Sequence, residues 1–215
     1  MYIEHVSDTH GSIFSFSRKN SILIHSGDML PNSEAILNGD IEEEIKFQKA
    51  WVINNIHSFP KQFLFTLGNH DFIDGFELEN IFKFYGVNGI CLHDTIVNLA
   101  GINFYGFPFI THISGKWNYE CKPSDMAIHA DNLIDKIDRI NAIVAHGPFD
   151  GVLDYTIYHE KTGNSVLSNK LMYSDCMGNT LKYYFHGHIH ESYGVSFKHG
   201  VLFSNAATTK NIIEF

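Results

Sequence analysis

The sequence predicts an α/β fold built on a mixed sheet or a pair of sheets, and three observations predict it. Short apolar runs of strand length alternate with stretches whose apolar residues fall at helical spacing. The chain then closes in a β-rich tail. Clusters of His, Asp and Asn follow directly on the apolar runs, where open α/β sheets collect their ligands.

The elements follow in order. "YIEHVS" and "SILIHS" (21–26) read as strands that stop at polar residues. The segment 42–59 carries Ile45, Trp51, Val52, Ile56 and Phe59 close to helical spacing, and Pro60 stops it. "QFLFTL" (62–67) is a strand-type run, and "FELENIFKFYG" is a short helix with Gly86 as its C-terminal stop. "TIVNLAGINFYGF" reads as two strands around Ala100-Gly101. "SDMAIHADNLIDKI" is a helix with Ser124 as N-cap. "NAIVAH" is a buried strand, "SVLSNKLMYSDCMG" a helix ended by Gly178, and "KYYFHG", "YGVSF" and "GVLFSN" are the closing strands.

A length of 215 residues suits one domain, 1–215, and 44% apolar residues fit an ordinary globular protein. No apolar run is long enough to span a bilayer, so no membrane partner is expected. The first segment reaches a charged motif by Asp8, so no leader peptide is expected and the cytoplasm is the predicted compartment. The three cysteines, Cys91, Cys121 and Cys176, are widely spaced and read as buried free thiols in a reducing compartment. A formal charge of −9 with no basic cluster disfavours an extended nucleic-acid interface. A small anionic substrate stays compatible with it, because a bound metal reverses the local sign.

Five polar motifs follow strands: "SDTHG" (Asp8, His10), "SGD" (Asp28), "LGNHD" (Asn69, His70), "AHGP" (His146) and "HGHIH" (His188, His190). Asp8 and His10 are separated by one residue, as are His188 and His190, and on extended backbone such pairs point to one side. Glycines flank the motifs and permit the tight turns a metal site needs. The donors are imidazole, carboxylate and one amide, without thiolate, which suits Mn, Fe, Zn, Co or Ni. Each motif alone has a plainer explanation as a turn or a structural histidine. Their occurrence together, each at a strand end, is the stronger signal.

The order DxH, GD, GNHD, H, GHxH resembles the calcineurin-like metallophosphoesterase superfamily. The flanking text "FYGFPF", "AHGPFDGVLD", "GHIHESYG" and "SNAAT" is similar to its branch of small metallophosphoesterase-domain proteins. The resemblance runs from about Val6 to Thr208. It implies a sandwich of two mixed β-sheets flanked by helices, the metallophosphatase fold, around two divalent ions, with Mn2+ the first choice. It gives Asp8, His10 and His190 to one ion, Asn69, His146 and His188 to the second, and Asp28 to both. It leaves His70 free of metal as the general acid and gives His186 no ligand role. Two ions bring four positive charges and Asp8 and Asp28 remove two, leaving a net charge of about +2 to draw a phosphoester. A water bridging the ions would lose its proton near neutral pH and attack phosphorus in line. Asp71 either orients His70 or stabilises the turn.

"GDMLPNS" (27–33) lacks the second Asp and the Arg of the protein Ser/Thr phosphatase motif GDxVDRG, which disfavours phosphoprotein substrates. Small phosphoesters remain, phosphodiesters such as cyclic nucleotides first. A phosphomonoesterase and a weakly catalytic scaffold of the same fold are the alternatives. Phe107, Phe109, Trp117 and Phe149 lie near the motif loops, available to stack on a base or to fill the core.

Overall fold

The computed structural model describes residues 1–14 and 21–214. Among them, strands β1 (Tyr2–Val6), β2 (Ser21–Ser26), β3 (Gln62–Thr66) and β4 (Asn88–Cys91) run parallel in one sheet. The second sheet holds β5 (Ile96–Leu99), β6 (Ile102–Phe107), β9 (Ala142–Ala145), β10 (Tyr183–His186), β11 (Gly194–Lys198) and β12 (Val201–Asn205). Within it β6, β9, β10 and β12 are parallel, while β5 and β11 are antiparallel edges. Strand β13 (Lys210–Glu214) closes the first sheet antiparallel to β1. The short strands β7 (Ile110–Thr111) and β8 (Glu120–Cys121) form a separate ribbon. Two mixed sheets flanked by helices are the expected architecture.

Period-2 alternation explains why the sheets stack. Ile22, Ile24, Leu64, Val144 and Phe185 pack between the sheets, and Leu23, Phe63, Phe65, Ile143 and Tyr184 face outward onto helices. Helices α1 (Ile41–Asn54) and α2 (Gly75–Phe84) cover the first sheet through Val52, Leu78 and Phe82. Helices α3 (Pro123–Ile134) and α4 (Ser165–Tyr173) cover the second through Met126, Leu133, Leu167 and Leu171.

Three helix boundaries differ from the sequence reading. Helix α1 stops at Asn55, whose N–H folds back on the carbonyls of Trp51 and Val52, and a separate 3-10 turn covers Ile56–Ser58 before Pro60. Helix α3 is capped by Lys122 with Pro123 in its first turn, so Ser124 lies inside the helix. Proline tolerates that position because its missing N–H would be unpaired there anyway. Helix α4 ends at Ser174, and Gly178 serves a later turn at φ 72°. No helix of the described residues is long and apolar enough to cross a membrane.

Candidate metal centre

The parallel strands of both sheets end toward one place. Asp8 and His10 follow β1, Asp28 follows β2, Asn69 and His70 follow β3, His146 follows β9, and His188 and His190 follow β10. Beyond the strands the backbone stays stitched: Asp8 N–H donates to the Gly27 carbonyl (2.9 Å) and His10 N–H to that of Asp28 (3.0 Å). The His188 N–H donates to Asp8 Oδ2 (2.9 Å), so a side chain of the first sheet caps a loop of the second.

Four of these residues hold left-handed backbone: Asp8 (φ 53°), His10 (φ 44°), Asp28 (φ 53°) and His188 (φ 69°). Non-glycine residues rarely adopt that region, and such strain concentrates at functional sites. Two glycines give the carboxylates room. A Cβ on Gly187 would stand 2.1 Å from Asp8 Oδ2, and one on Gly68 would stand 2.2 Å from Asp28 Oδ1.

The predicted ligands come together in two groups. Asp8, His10 and His190 offer atoms within 4.8 Å of one another, as do Asp8, Asp28 and His146. His190 Nε2 lies 3.2 Å from Asp8 Oδ1, and His10 Nε2 lies 3.9 Å from Asp28 Oδ2. His188 stands beside the second group, its ring centroid 5.0 Å from that of His146. Burial lowers the His188 pKa to about 4, which keeps the neutral, ligating form of imidazole.

The buried group around His146 fits a cation. Its Nδ1 lies 2.9 Å from the Ser26 carbonyl oxygen, which only accepts, so Nδ1 carries the ring proton. Nε2 of the neutral ring is then a lone pair, and it faces two more acceptors, Asn69 Oδ1 (3.0 Å) and Asp28 Oδ2 (3.3 Å). Three acceptors converge where the side chains are almost wholly buried. Burial alone lowers the His146 pKa, but the Asp28 charge and hydrogen bond, aided by Asp8, overturn this and raise it to about 9. The pocket therefore demands positive charge, and its imidazole, carboxylate and amide donors match divalent ions. The three cysteines are buried, unpaired and outside this cluster.

His70 lies at the edge of the centre. Its backbone N–H donates to Asp28 Oδ1 (2.7 Å), its ring meets that of His10 edge-on, and its centroid sits 4.1 Å from Trp117. Its Nδ1 contacts Asn32 Oδ1. Asn32 is held in turn through its Nδ2, which donates to Glu44 Oε1 (2.9 Å) and to the His70 carbonyl (3.0 Å). Asp71 does not orient the ring: its carboxylate accepts the backbone N–H groups of Gly68 (2.9 Å), Leu30 (2.8 Å) and Met29 (3.2 Å). Of the four aromatics near the loops, Phe107, Phe109 and Phe149 fill the core, and Trp117 lines the cleft. His186 is buried at the end of β10, its ring 5.8 Å from that of Tyr184.

Sequence reasoning missed Asn32, which sits in "PNS", a string that reads as an ordinary turn. It also missed Glu44 and Gln48. They occupy the buried face of α1, and Gln48 Nε2 donates to the His70 carbonyl (2.7 Å).

Two stacked mixed sheets, with a carboxylate–imidazole centre where their parallel strands end, define a metallophosphatase-type protein. The chain belongs to the calcineurin-like phosphoesterase family, whose profile matches residues 1–192. It is 27% identical over 220 residues to a UPF0046 protein of Caenorhabditis elegans, covering 94% of this chain and 73% of that one. It is also 27% identical over 205 residues to human metallophosphoesterase domain-containing protein 1, covering 88% of this chain and 60% of that protein. A solved Staphylococcus aureus structure, described as a putative 5'-nucleotidase in complex with alpha-ketoglutarate, superposes with a TM-score of 0.52 at 16% identity. That match covers 98% of this chain and 50% of the bacterial one, and it shows the fold.

Proposed function

We propose that the chain is a dinuclear, metal-dependent phosphoesterase that hydrolyses small phosphoesters, phosphodiesters such as cyclic nucleotides first, with Mn2+ as the working ion. The observation that carries this reading is the buried meeting of His146 Nε2, Asn69 Oδ1 and Asp28 Oδ2, a donor set that calls for a positive charge between its members. Asp8, His10 and His190 would hold one ion, Asn69, His146 and His188 the other, and Asp28 both. Such ions, when bound, polarise a phosphoryl oxygen and ready a water for attack near neutral pH.

The chain's own groups do the rest. The His70 N–H occupies Asp28 Oδ1, which leaves Oδ2 facing His146 and His10. His70 Nδ1–H donates to Asn32 Oδ1, so Nε2 is the ring atom open to exchange a proton with the leaving oxygen. Burial lowers the His70 pKa against the opposing Asp28 charge. An anionic phosphoryl group beside the ring favours its protonated form by the same electrostatics. A cleft of about 400 Å³ lined by His70, His188, His190 and Trp117 suits a small ester. The free, buried cysteines support a reducing, cytoplasmic setting.

The test is hydrolysis of bis-p-nitrophenyl phosphate by the Mn2+-loaded chain, followed by a panel of cyclic nucleotides, mononucleotides and sugar phosphates, with elemental analysis of the purified protein. Turnover that needs a divalent ion supports the reading. A folded chain that turns over no ester with any divalent ion contradicts it.

A further inference from the structure

The centre opens on one side into a cleft whose outer wall is Ile113, Trp117 and Glu191. Among the described residues that line this cleft there is no Lys or Arg. The nearby lysines face elsewhere. Lys116 lines a neighbouring groove with Ile36 and Ile41. Lys210 lines the groove on the other side of His10 and pairs with Glu4 Oε2 at 3.2 Å.

Glu191 is exposed and carries an acidic side chain. Its backbone is pinned. It sits in the 3-10 turn His190–Ser192, where Ser192 Oγ donates to the Tyr155 carbonyl (2.7 Å) and accepts the Tyr155 N–H (3.0 Å). The Asn205 amide holds the Ile189 carbonyl (2.9 Å). A negative side chain on a pinned backbone therefore stands at the mouth of an anion-binding cleft, with no Lys or Arg among the described wall residues to offset it.

Such a charge repels each further negative charge on an incoming ester. A phosphomonoester carries about −1.5 to −2 at pH 7. A phosphodiester has one acidic proton and carries a single charge. Resting on the phosphoesterase reading above, we infer that Glu191 makes the cleft a charge filter that favours singly charged phosphodiesters over doubly charged phosphomonoesters. Ile113 and Trp117 complete the wall with apolar surface for the leaving arm of the diester.

The experiment compares kcat/KM for bis-p-nitrophenyl phosphate and p-nitrophenyl phosphate in the Mn2+-loaded full chain and in its Glu191→Gln and Glu191→Lys variants, with metal content measured for each. The monoester-to-diester ratio rises roughly threefold to tenfold in Glu191→Gln and further in Glu191→Lys, at unchanged metal content. Added salt raises the ratio in the native chain and moves it less in Glu191→Gln, because screening weakens an exposed charge. A ratio that stays within about twofold across the three proteins and across salt overturns the filter while leaving the phosphoesterase reading intact. Loss of metal on substitution overturns it too, by making Glu191 a ligand. Hydrolysis of neither ester by the native chain sinks both readings together.

Discussion

Asn32 and His70 meet side chain to side chain although 38 residues separate them, and the contact joins the loop after β2 to the loop after β3. Glu44 and Gln48 on α1 hold both partners: Glu44 Oε1 accepts the Asn32 amide, and Gln48 donates to the His70 carbonyl. One helix thus sets the angle at which an imidazole enters the cleft.

Asn32→Ala frees the His70 ring. A misplacement of about 1 Å in such a group costs about 100-fold in rate. We expect kcat to fall by about that factor with KM and metal content little changed, and the loss to be larger for esters with poor leaving groups. Steady-state kinetics on aryl and alkyl esters checks it. Equal losses on every ester would assign Asn32 to the fold alone.

His70→Ala removes the proposed proton donor but no expected ligand. Turnover should drop by about 10²–10⁴-fold while elemental analysis still finds the native metal content. Metal lost together with activity would place His70 among the ligands instead.

Gly187→Ala forces a Cβ to within 2.0 Å of Ser7 Oγ and 2.1 Å of Asp8 Oδ2. Something must move, and overpacking of this kind costs about 1–3 kcal/mol. Because the crowded group is Asp8, metal affinity should fall along with stability. Denaturant melts with and without Mn2+ check this: the stabilisation given by Mn2+ shrinks in the variant.

Glu120 organises the loop that carries Trp117. Its carboxylate accepts the backbone N–H groups of Gly115 (2.7 Å), Ile113 (2.8 Å), Ser114 (2.8 Å) and Trp117 (3.0 Å). Burial alone would raise its pKa, but these bonds hold it down at about 2. A depressed folded-state value stabilises the protein above the unfolded value of about 4.5, and that stability is lost as pH falls toward about 2. Glu120→Gln should be less stable by about 1–3 kcal/mol at pH 7, with the gap from the native chain closing below pH ~4.5. Urea melts across pH measure the gap; one that is constant down to the lowest pH contradicts the carboxylate's role.

Much of the fold was legible because the parallel strands are buried on both faces and so read as continuous apolar runs, as in "SILIHS" and "NAIVAH". Strands β4 and β13 escaped notice. "NGIC" and "KNIIE" are short and carry polar residues, and pairing with β3 and β1 makes them strands. The residues expected at the centre were legible because each sits in a compact motif beside a glycine. Their supports were not. Glu44 and Gln48 look like solvent-facing helix residues, and only the turn of α1 toward the His70 loop buries them. Asn32 and Glu191 gain meaning from neighbours far away in the chain, which no local pattern encodes.

Asp8, Asp28 and His146, with their partners, are expected to grip divalent ions. The most direct measurement is the equilibrium stoichiometry of Mn2+ on the chelator-stripped full chain beside its Asp28→Asn variant. Two ions per native chain and a clear loss of uptake in the variant are expected. Native protein that binds no more Mn2+ than Asp28→Asn would contradict this expectation.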